Sequence, residues 1–270
     1  SLINARNGKC SQNCKYCAQS SHYCTNIESY PLVSVDEVKK VALEAKSHKA
    51  SRFAIVTSGR TPDEGRDFQI ELDMIKEINK IGGLKSCASI GILNEEQAKL
   101  LAEAGLTRFH HNINTCRSYY PEVCTTHTFE DRINTCRLVK KYGMELCCGV
   151  ILGMGESIEQ RIEMALELAE IEPDSIPINI LMPIPETPFE NYSDKIDEEN
   201  VLRTLAVFKI ANPKSVLRFC GGRMRLSEEN QRKALNTCVE GIMVGNYLTT
   251  IGKAPEEDIK TVNELGKTII

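Results

Sequence analysis

The sequence predicts an α/β fold, a (β/α)8 TIM-type barrel in which residues 1–270 form one domain. Three observations lead there. Short apolar, β-branched runs alternate with helical periodicity along the whole chain. The strand-like runs number eight, with a helical pattern after nearly every one. No linker, low-complexity tract or internal repeat interrupts the alternation, and 270 residues suffice to bury one large core.

The predicted strands are 3–8, 52–57, 85–90, 108–114, 145–152, 175–181, 217–220 and 242–247. The predicted helices lie between them at 34–47, 67–81, 94–104, 128–142, 158–171, 198–212 and 227–239. Ser34-Val-Asp-Glu reads as a capping box at a helix start. Gly82-Gly83, Gly105 and Gly143 stand where helices should stop. Right-handed crossovers close such strands into a full or partial barrel. Reactive residues then belong at the C-terminal ends of the strands and in the loops that follow.

Composition narrows the function. With 41% apolar and 26% charged residues and a formal net charge of −4, the chain has the balance of a soluble globular protein. The absence of a lysine or arginine block argues against nucleic acid or a membrane surface as partner. No apolar run reaches the roughly 18 residues of a membrane span. The opening Ser1-Leu-Ile-Asn shows no basic and apolar leader, so a cytoplasmic location is expected. Twelve cysteines stand out. Disulfide frameworks belong to short secreted chains, so metal or cluster ligation is the better reading for some of them, in a reducing setting.

Cys10-Ser-Gln-Asn-Cys14-Lys-Tyr-Cys17 follows the first predicted strand with the spacing C-x3-C-x2-C. Three thiolates on a short loop can each bind one corner of a cubane and leave the fourth iron without a protein ligand. A small chelating substrate needs such an open iron. Tyr16 is placed to pack beside the cluster or a bound nucleoside. The competing reading is a zinc site, but zinc knuckles use C-x2-C pairs and a fourth ligand, for which only Cys24 or His22 stands nearby. This motif resembles the radical S-adenosylmethionine superfamily. The resemblance implies a [4Fe–4S] cluster on Cys10, Cys14 and Cys17, chelated by S-adenosylmethionine, and reductive cleavage to a 5′-deoxyadenosyl radical.

Further segments sharpen the match. Cys14-Lys-Tyr-Cys17-Ala-Gln-Ser-Ser, His111-Asn-Ile-Asn114-Thr, Thr125-Thr-His-Thr-Phe-Glu-Asp-Arg132, Gly149-Val-Ile-Leu-Gly-Met-Gly-Glu156, Ser175-Ile-Pro-Ile-Asn179, Gly221-Gly-Arg223 and Leu248-Thr-Thr250 occur in order over nearly the whole chain. Together they resemble the biotin synthase family. The resemblance implies a sulfurtransferase that inserts sulfur from an auxiliary iron–sulfur cluster into dethiobiotin. It also implies a small electron donor of flavodoxin or ferredoxin type, and a homodimer is open. The usual auxiliary cluster is [2Fe–2S], held by three cysteines and an arginine. Cys87, Cys147 and Arg218 match three of these positions, but the strand-two position is Ala54, which cannot ligate iron. Cys220 lies two residues beyond Arg218 on the same strand face and is the expected replacement. The expected auxiliary cluster is therefore not an ordinary arginine-ligated [2Fe–2S] centre, and Arg218 lies beside it.

By the same resemblance, Asn112 contacts substrate and cofactor, Asn114 the ribose of S-adenosylmethionine, Ile151 its adenine and Arg132 its methionine carboxylate. Asn179 meets the dethiobiotin ureido group, which suits an amide's donors and acceptor. The family usually has aspartate where Asn114 stands. Cys148 should face away from Cys147, towards the helices. Cys116, Cys136 and Cys238 read as buried thiols, and Cys24 and Cys124 have no assignment. Gly153-Met-Gly-Glu156 lacks the residues of a phosphate loop and reads as a turn. His110 and His111 are adjacent on a predicted strand, so at most one should enter the barrel. Two alternatives remain: a related radical maturase or mutase that makes no biotin, and a non-catalytic iron–sulfur electron carrier.

Overall fold

The computed structural model describes residues 1–62, 65–192, 196–243 and 253–267. Nine strands form one parallel sheet: β1 (Leu2–Arg6), β2 (Arg52–Thr57), β3 (Lys85–Ser89), β4 (Arg108–His110), β5 (Glu145–Cys147), β6 (Val150–Leu152), β7 (Ser175–Ile180), β8 (Val216–Phe219) and β9 (Gly241–Ile242). They are laid down in sequence order, with β5 and β6 both pairing with β7. The helices between them are α1 (Val35–Ser47), α2 (Arg66–Ile81), α3 (Glu95–Glu103), α4 (Tyr120–Val123), α5 (Phe129–Lys141), α6 (Ile158–Ile171), α7 (Glu198–Ala211), α8 (Glu228–Thr237) and α9 (Pro255–Glu264). This is the predicted TIM-type α/β fold in its partial form. Among the described residues β1 and β9 are the two edges and do not pair with each other.

The sheet buries Phe53, Ile55, Phe109, Leu146 and Phe219 against the apolar faces of the helices, including Met74, Ile75, Leu101 and Phe208. Helix starts follow the side chains that satisfy the first free amides. Ser34 accepts from the Glu37 amide. Full capping boxes form at Asn94/Gln97, Thr128/Asp131 and Ser157/Gln160. Thr128 begins the helix that carries Arg132, so its cap sets where that arginine starts. Removing the hydroxyl in Thr128→Ala should cost about 1 kcal/mol, read as a lower denaturant midpoint under anaerobic conditions.

Two departures from the sequence reading have local causes. The predicted strand 145–152 is two strands, broken at Cys148-Gly149. A Cβ on Gly149 would lie 1.9 Å from the Pro177 carbonyl oxygen, so only glycine lets β7 approach there. The predicted strand 108–114 ends at His110, and Asn114 takes a left-handed φ of 67°. Of the last predicted strand, 242–247, residues 244–247 lie outside the described residues, as does Leu248-Thr-Thr250. No helix among the described residues is long and apolar enough to cross a membrane.

Candidate active site

A cavity of about 300 Å³ opens where the strands end. Cys10, Cys14, Tyr16 and Cys17 from the loop after β1 line it, with Thr57 at the end of β2, Ser89 on β3, His110 on β4, Ile151 on β6 and Asn179 on β7. Asn112, Asn114 and Arg132 complete the predicted set on its walls. The cavity thus gathers residues separated by up to 169 positions in the chain.

The cysteine loop is built by its own backbone. The Cys10 amide donates to Gln19 O at 2.9 Å, Ser21 N–H donates back to Cys10 O at 2.8 Å, and Cys17 N–H donates to Cys14 O at 3.0 Å. Asn13 clamps the loop to the segment after α4: its Oδ1 accepts from Thr125 N–H at 3.0 Å and its Nδ2 donates to Thr125 Oγ1 at 2.7 Å. Burial pushes the Cys17 thiol up to about 11. Three thiols held on one tight loop beside an open cavity fit a [4Fe–4S] cluster with one free iron.

Sequence spacing did not reveal a second group at this loop. Cys124 Sγ lies 3.7 Å from Cys14 Sγ, and His127 Nδ1 lies 3.2 Å from Cys124 Sγ. These three donors lie within 4.8 Å of one another. The nearby residues considered from sequence are placed elsewhere: Cys24 is exposed, and His22 Nε2 meets the Ser11 carbonyl at 3.1 Å. The contact between the two thiols pushes Cys14 up and Cys124 down. Arg132 is half-buried in the same corner. Its Nη1–H donates to Asn112 O at 2.9 Å, its Nε–H to Tyr120 Oη at 2.5 Å, and its Nη2 faces His127 Nε2 at 3.0 Å.

Asn112 and Asn114 do not alternate on a strand, as β4 has already ended, yet both line the cavity. Asn112 Oδ1 accepts from Gly149 N–H at 3.0 Å, and Asn114 Nδ2 donates to Tyr16 Oη at 2.8 Å. Asn179 Nδ2 donates to Val150 O at 3.1 Å while its Oδ1 accepts from Gly221 N–H at 3.0 Å. Each amide therefore stitches the wall together and keeps one donor or acceptor for a ligand. The two histidines are also corrected. Both line the cavity, because period-two alternation stops at His110. They still do not act as a pair: His110 meets the thiols of Cys87 and Cys147, while His111 lies near Arg132 and His127.

Below the cavity, Cys87 on β3 and Cys147 on β5 are fully buried. Ala54 on β2 stands in register with Cys87 and offers only a methyl group. Arg218 on β8 donates from Nη2 to Cys147 Sγ at 2.9 Å. Burial alone would raise the Cys147 thiol, but His110 and Arg218 outweigh it and hold the group down at about 6. Cys220 follows the end of β8, its amide donating to Ile178 O at 3.0 Å, and burial pushes its thiol up to about 11. Two buried nitrogens in this layer, His110 Nε2 and Arg218 Nε, have no hydrogen-bond partner. Thiols and orphaned nitrogens together fit a second iron–sulfur centre. Cys148 turns the other way and lies 3.9 Å from Cys136 of α5, in the helix-facing core.

The chain is similar to known proteins throughout. Residues 6–169 match the Radical SAM superfamily, and residues 177–268 match the Biotin and Thiamin Synthesis associated domain. Among curated relatives, Biotin synthase of Acetivibrio thermocellus is 47% identical over 100% of this chain and 83% of its own length. Biotin synthase of Clostridioides difficile is 44% identical over 98% of this chain and 81% of its own length. Methylornithine synthase has the same fold, with a TM-score of 0.81 at 18% identity, covering 100% of this chain and 82% of that structure. A maturase of the [FeFe]-hydrogenase reaches 0.82 at 18% identity, over 99% of this chain and 62% of that structure. The maturase and mutase share the fold alone, whereas the relatives named biotin synthase share nearly half the residues, so this chain belongs to the biotin synthase family of radical S-adenosylmethionine enzymes.

Proposed function

We propose that the protein is a sulfurtransferase that converts dethiobiotin to biotin. One observation carries the reading. A single cavity has the three-cysteine loop on one wall and, on another, His110, which meets the buried thiols of Cys87 and Cys147. A substrate held there lies between two thiol-rich centres. As a radical S-adenosylmethionine protein the chain uses a [4Fe–4S] cluster and S-adenosylmethionine. When bound, that pair supplies hydrogen abstraction, and an auxiliary cluster supplies sulfur for the two new carbon–sulfur bonds.

The chain's own residues divide the work. Cys10, Cys14 and Cys17 hold the first cluster. Asn112, Asn114, Arg132, Ile151 and Tyr16 position S-adenosylmethionine and shield it from water. Asn112 and Asn179 orient the ureido ring. Cys87, Cys147 and Cys220 hold the auxiliary cluster, with Arg218 beside it, and Ala54 rules out the usual three-cysteine, one-arginine set. Residues 1–270 act as one domain, since strands from both matched segments share one sheet. A small flavodoxin- or ferredoxin-type donor and a homodimeric state complete the reading.

The test is anaerobic turnover of dethiobiotin with S-adenosylmethionine and a reductant, with biotin as the expected product. Deoxyadenosine without biotin would instead favour a related mutase or maturase. In the same assay, Asn179→Ala should weaken dethiobiotin binding roughly ten- to a hundredfold, because a hydrogen bond lost in a dry pocket costs about 1–3 kcal/mol. Unchanged dethiobiotin affinity would remove Asn179 from the substrate site.

A further inference from the structure

We infer that His110 is a nitrogen ligand of the auxiliary cluster, a fourth donor beside the sulfurs of Cys87, Cys147 and Cys220. The inference rests on the proposal that an auxiliary cluster is present, and it adds a residue that the family resemblance does not assign.

Strand order places His110 between the two thiols. It is the last residue of β4, the strand between β3, which carries Cys87, and β5, which carries Cys147. Its Cα is in register with that of Cys147. Its imidazole lies beside both sulfurs, and its Nε2 is hydrogen-bonded to neither. The ring also lines the cavity, so it stands at the boundary between the thiol layer and the substrate space.

The nitrogen inventory of the ring points the same way. Nε2 is buried and has no hydrogen-bond partner. A buried imidazole nitrogen left bare is costly, and native structures seldom leave one so. No carboxylate or carbonyl among the described residues is hydrogen-bonded to it. Imidazole is an established type of iron ligand in clusters where it replaces cysteine. Arg218 is the weaker candidate, because a guanidinium carries no lone pair to offer and here already donates to Cys147. On β2, the residue in register with Cys87 offers a methyl group. The donors converging on this layer are thus the sulfurs of Cys87, Cys147 and Cys220 and one nitrogen of His110.

The ligand set has a consequence for sulfur delivery. Compared with a fourth thiolate, a neutral imidazole leaves one negative charge fewer on the cluster and a higher reduction potential. The cluster then accepts electrons more readily, which favours release of a sulfur to a carbon radical. His110, at the cavity wall, marks the cluster edge that faces the substrate.

The experiment compares reconstituted full-length protein grown with unlabelled or 15N-labelled histidine. Pulsed EPR of the reduced auxiliary cluster is recorded without S-adenosylmethionine, so that no cofactor amine is bound to iron. Mössbauer spectra of the same samples count the auxiliary iron. The expected result is a strong nitrogen coupling that changes its pattern with the 15N label and is lost in His110→Ala. In His110→Cys the cluster potential should shift to more negative values. The inference is overturned if auxiliary iron is present in full but the label leaves the spectrum unchanged, or if His110→Ala keeps the coupling. If the wild type holds no auxiliary iron at all, the functional reading falls together with the inference, and the iron count separates that outcome from the first. The labelled wild type decides the question even if His110→Ala does not assemble.

Discussion

Cys14→Ala should abolish S-adenosylmethionine cleavage and remove the iron of the first cluster. Cys10, Cys14 and Cys17 each supply one thiolate, and a cubane held at two corners is exposed to loss of iron. The loop offers no alternative sulfur at the cavity wall. Cys124 lies 3.7 Å from Cys14 Sγ and is the only thiol among the described residues close enough to substitute. Its sulfur is already engaged by His127, Thr126 and Asn13. Deoxyadenosine formation in Cys14→Ala should therefore drop below detection, with the auxiliary iron retained. Normal cleavage in this variant, measured anaerobically with dithionite, would exclude Cys14 as a ligand. The double variant Cys14→Ala/Cys124→Ala shows whether Cys124 rescues any residual iron.

Cys147→Ala should have the converse effect. Biotin formation is expected to cease while S-adenosylmethionine is still cleaved, because Cys147 belongs to the inner layer and the first cluster to the loop. The substitution also strips Arg218 of its acceptor at 2.9 Å and leaves a half-buried guanidinium with one hydrogen bond fewer. Lower thermal stability should therefore accompany the loss of function. Cys220→Ala separates the two readings of that residue. As a ligand, its loss changes the auxiliary Mössbauer spectrum. If every auxiliary iron remains and biotin still forms, Cys220 is only a packed residue at the end of β8.

Much of the site was legible because it rests on short-range spacing. The C-x3-C-x2-C loop needs only eight residues, and its backbone closes on itself within residues 10–21. The β2 and β3 runs were legible as strands, and their register puts Ala54 beside Cys87. Cys124 and His127 were illegible for the opposite reason: Cys124 lies 110 positions after Cys14, and contacts made only in the fold, the Asn13 clamp, the Lys15 amide on Val123 O and Gln12 on His127, bring the two loops together. His110 was judged by strand alternation, which fails where β4 stops. Its signal was the pair of asparagines that follow, since Asn tolerates the left-handed conformation found at Asn114. Gly149 marked the break in the fifth predicted strand but was read as part of it. The helices α4 and α9 each carry proline in the first turn, with acidic residues after it, a start signal that went unused at Pro121 and Pro255.

The order of strands in the sheet also sets a timetable for the growing chain. The segments 6–169 and 177–268 meet where β5 and β6 pair with β7, so the edge of the first is sealed only by the second. During synthesis the buried runs of β5 and β6 leave the ribosome before residues 175–180 emerge to cover them. At about 5–20 residues per second, that edge stays open for roughly 1–6 s. It carries Cys147 and Cys148, two adjacent thiols, on an unpaired strand. Every nascent copy passes through a state in which its sulfur-binding layer is uncovered, and in air this window is where the fold is most vulnerable to cross-linking and to edge-to-edge aggregation.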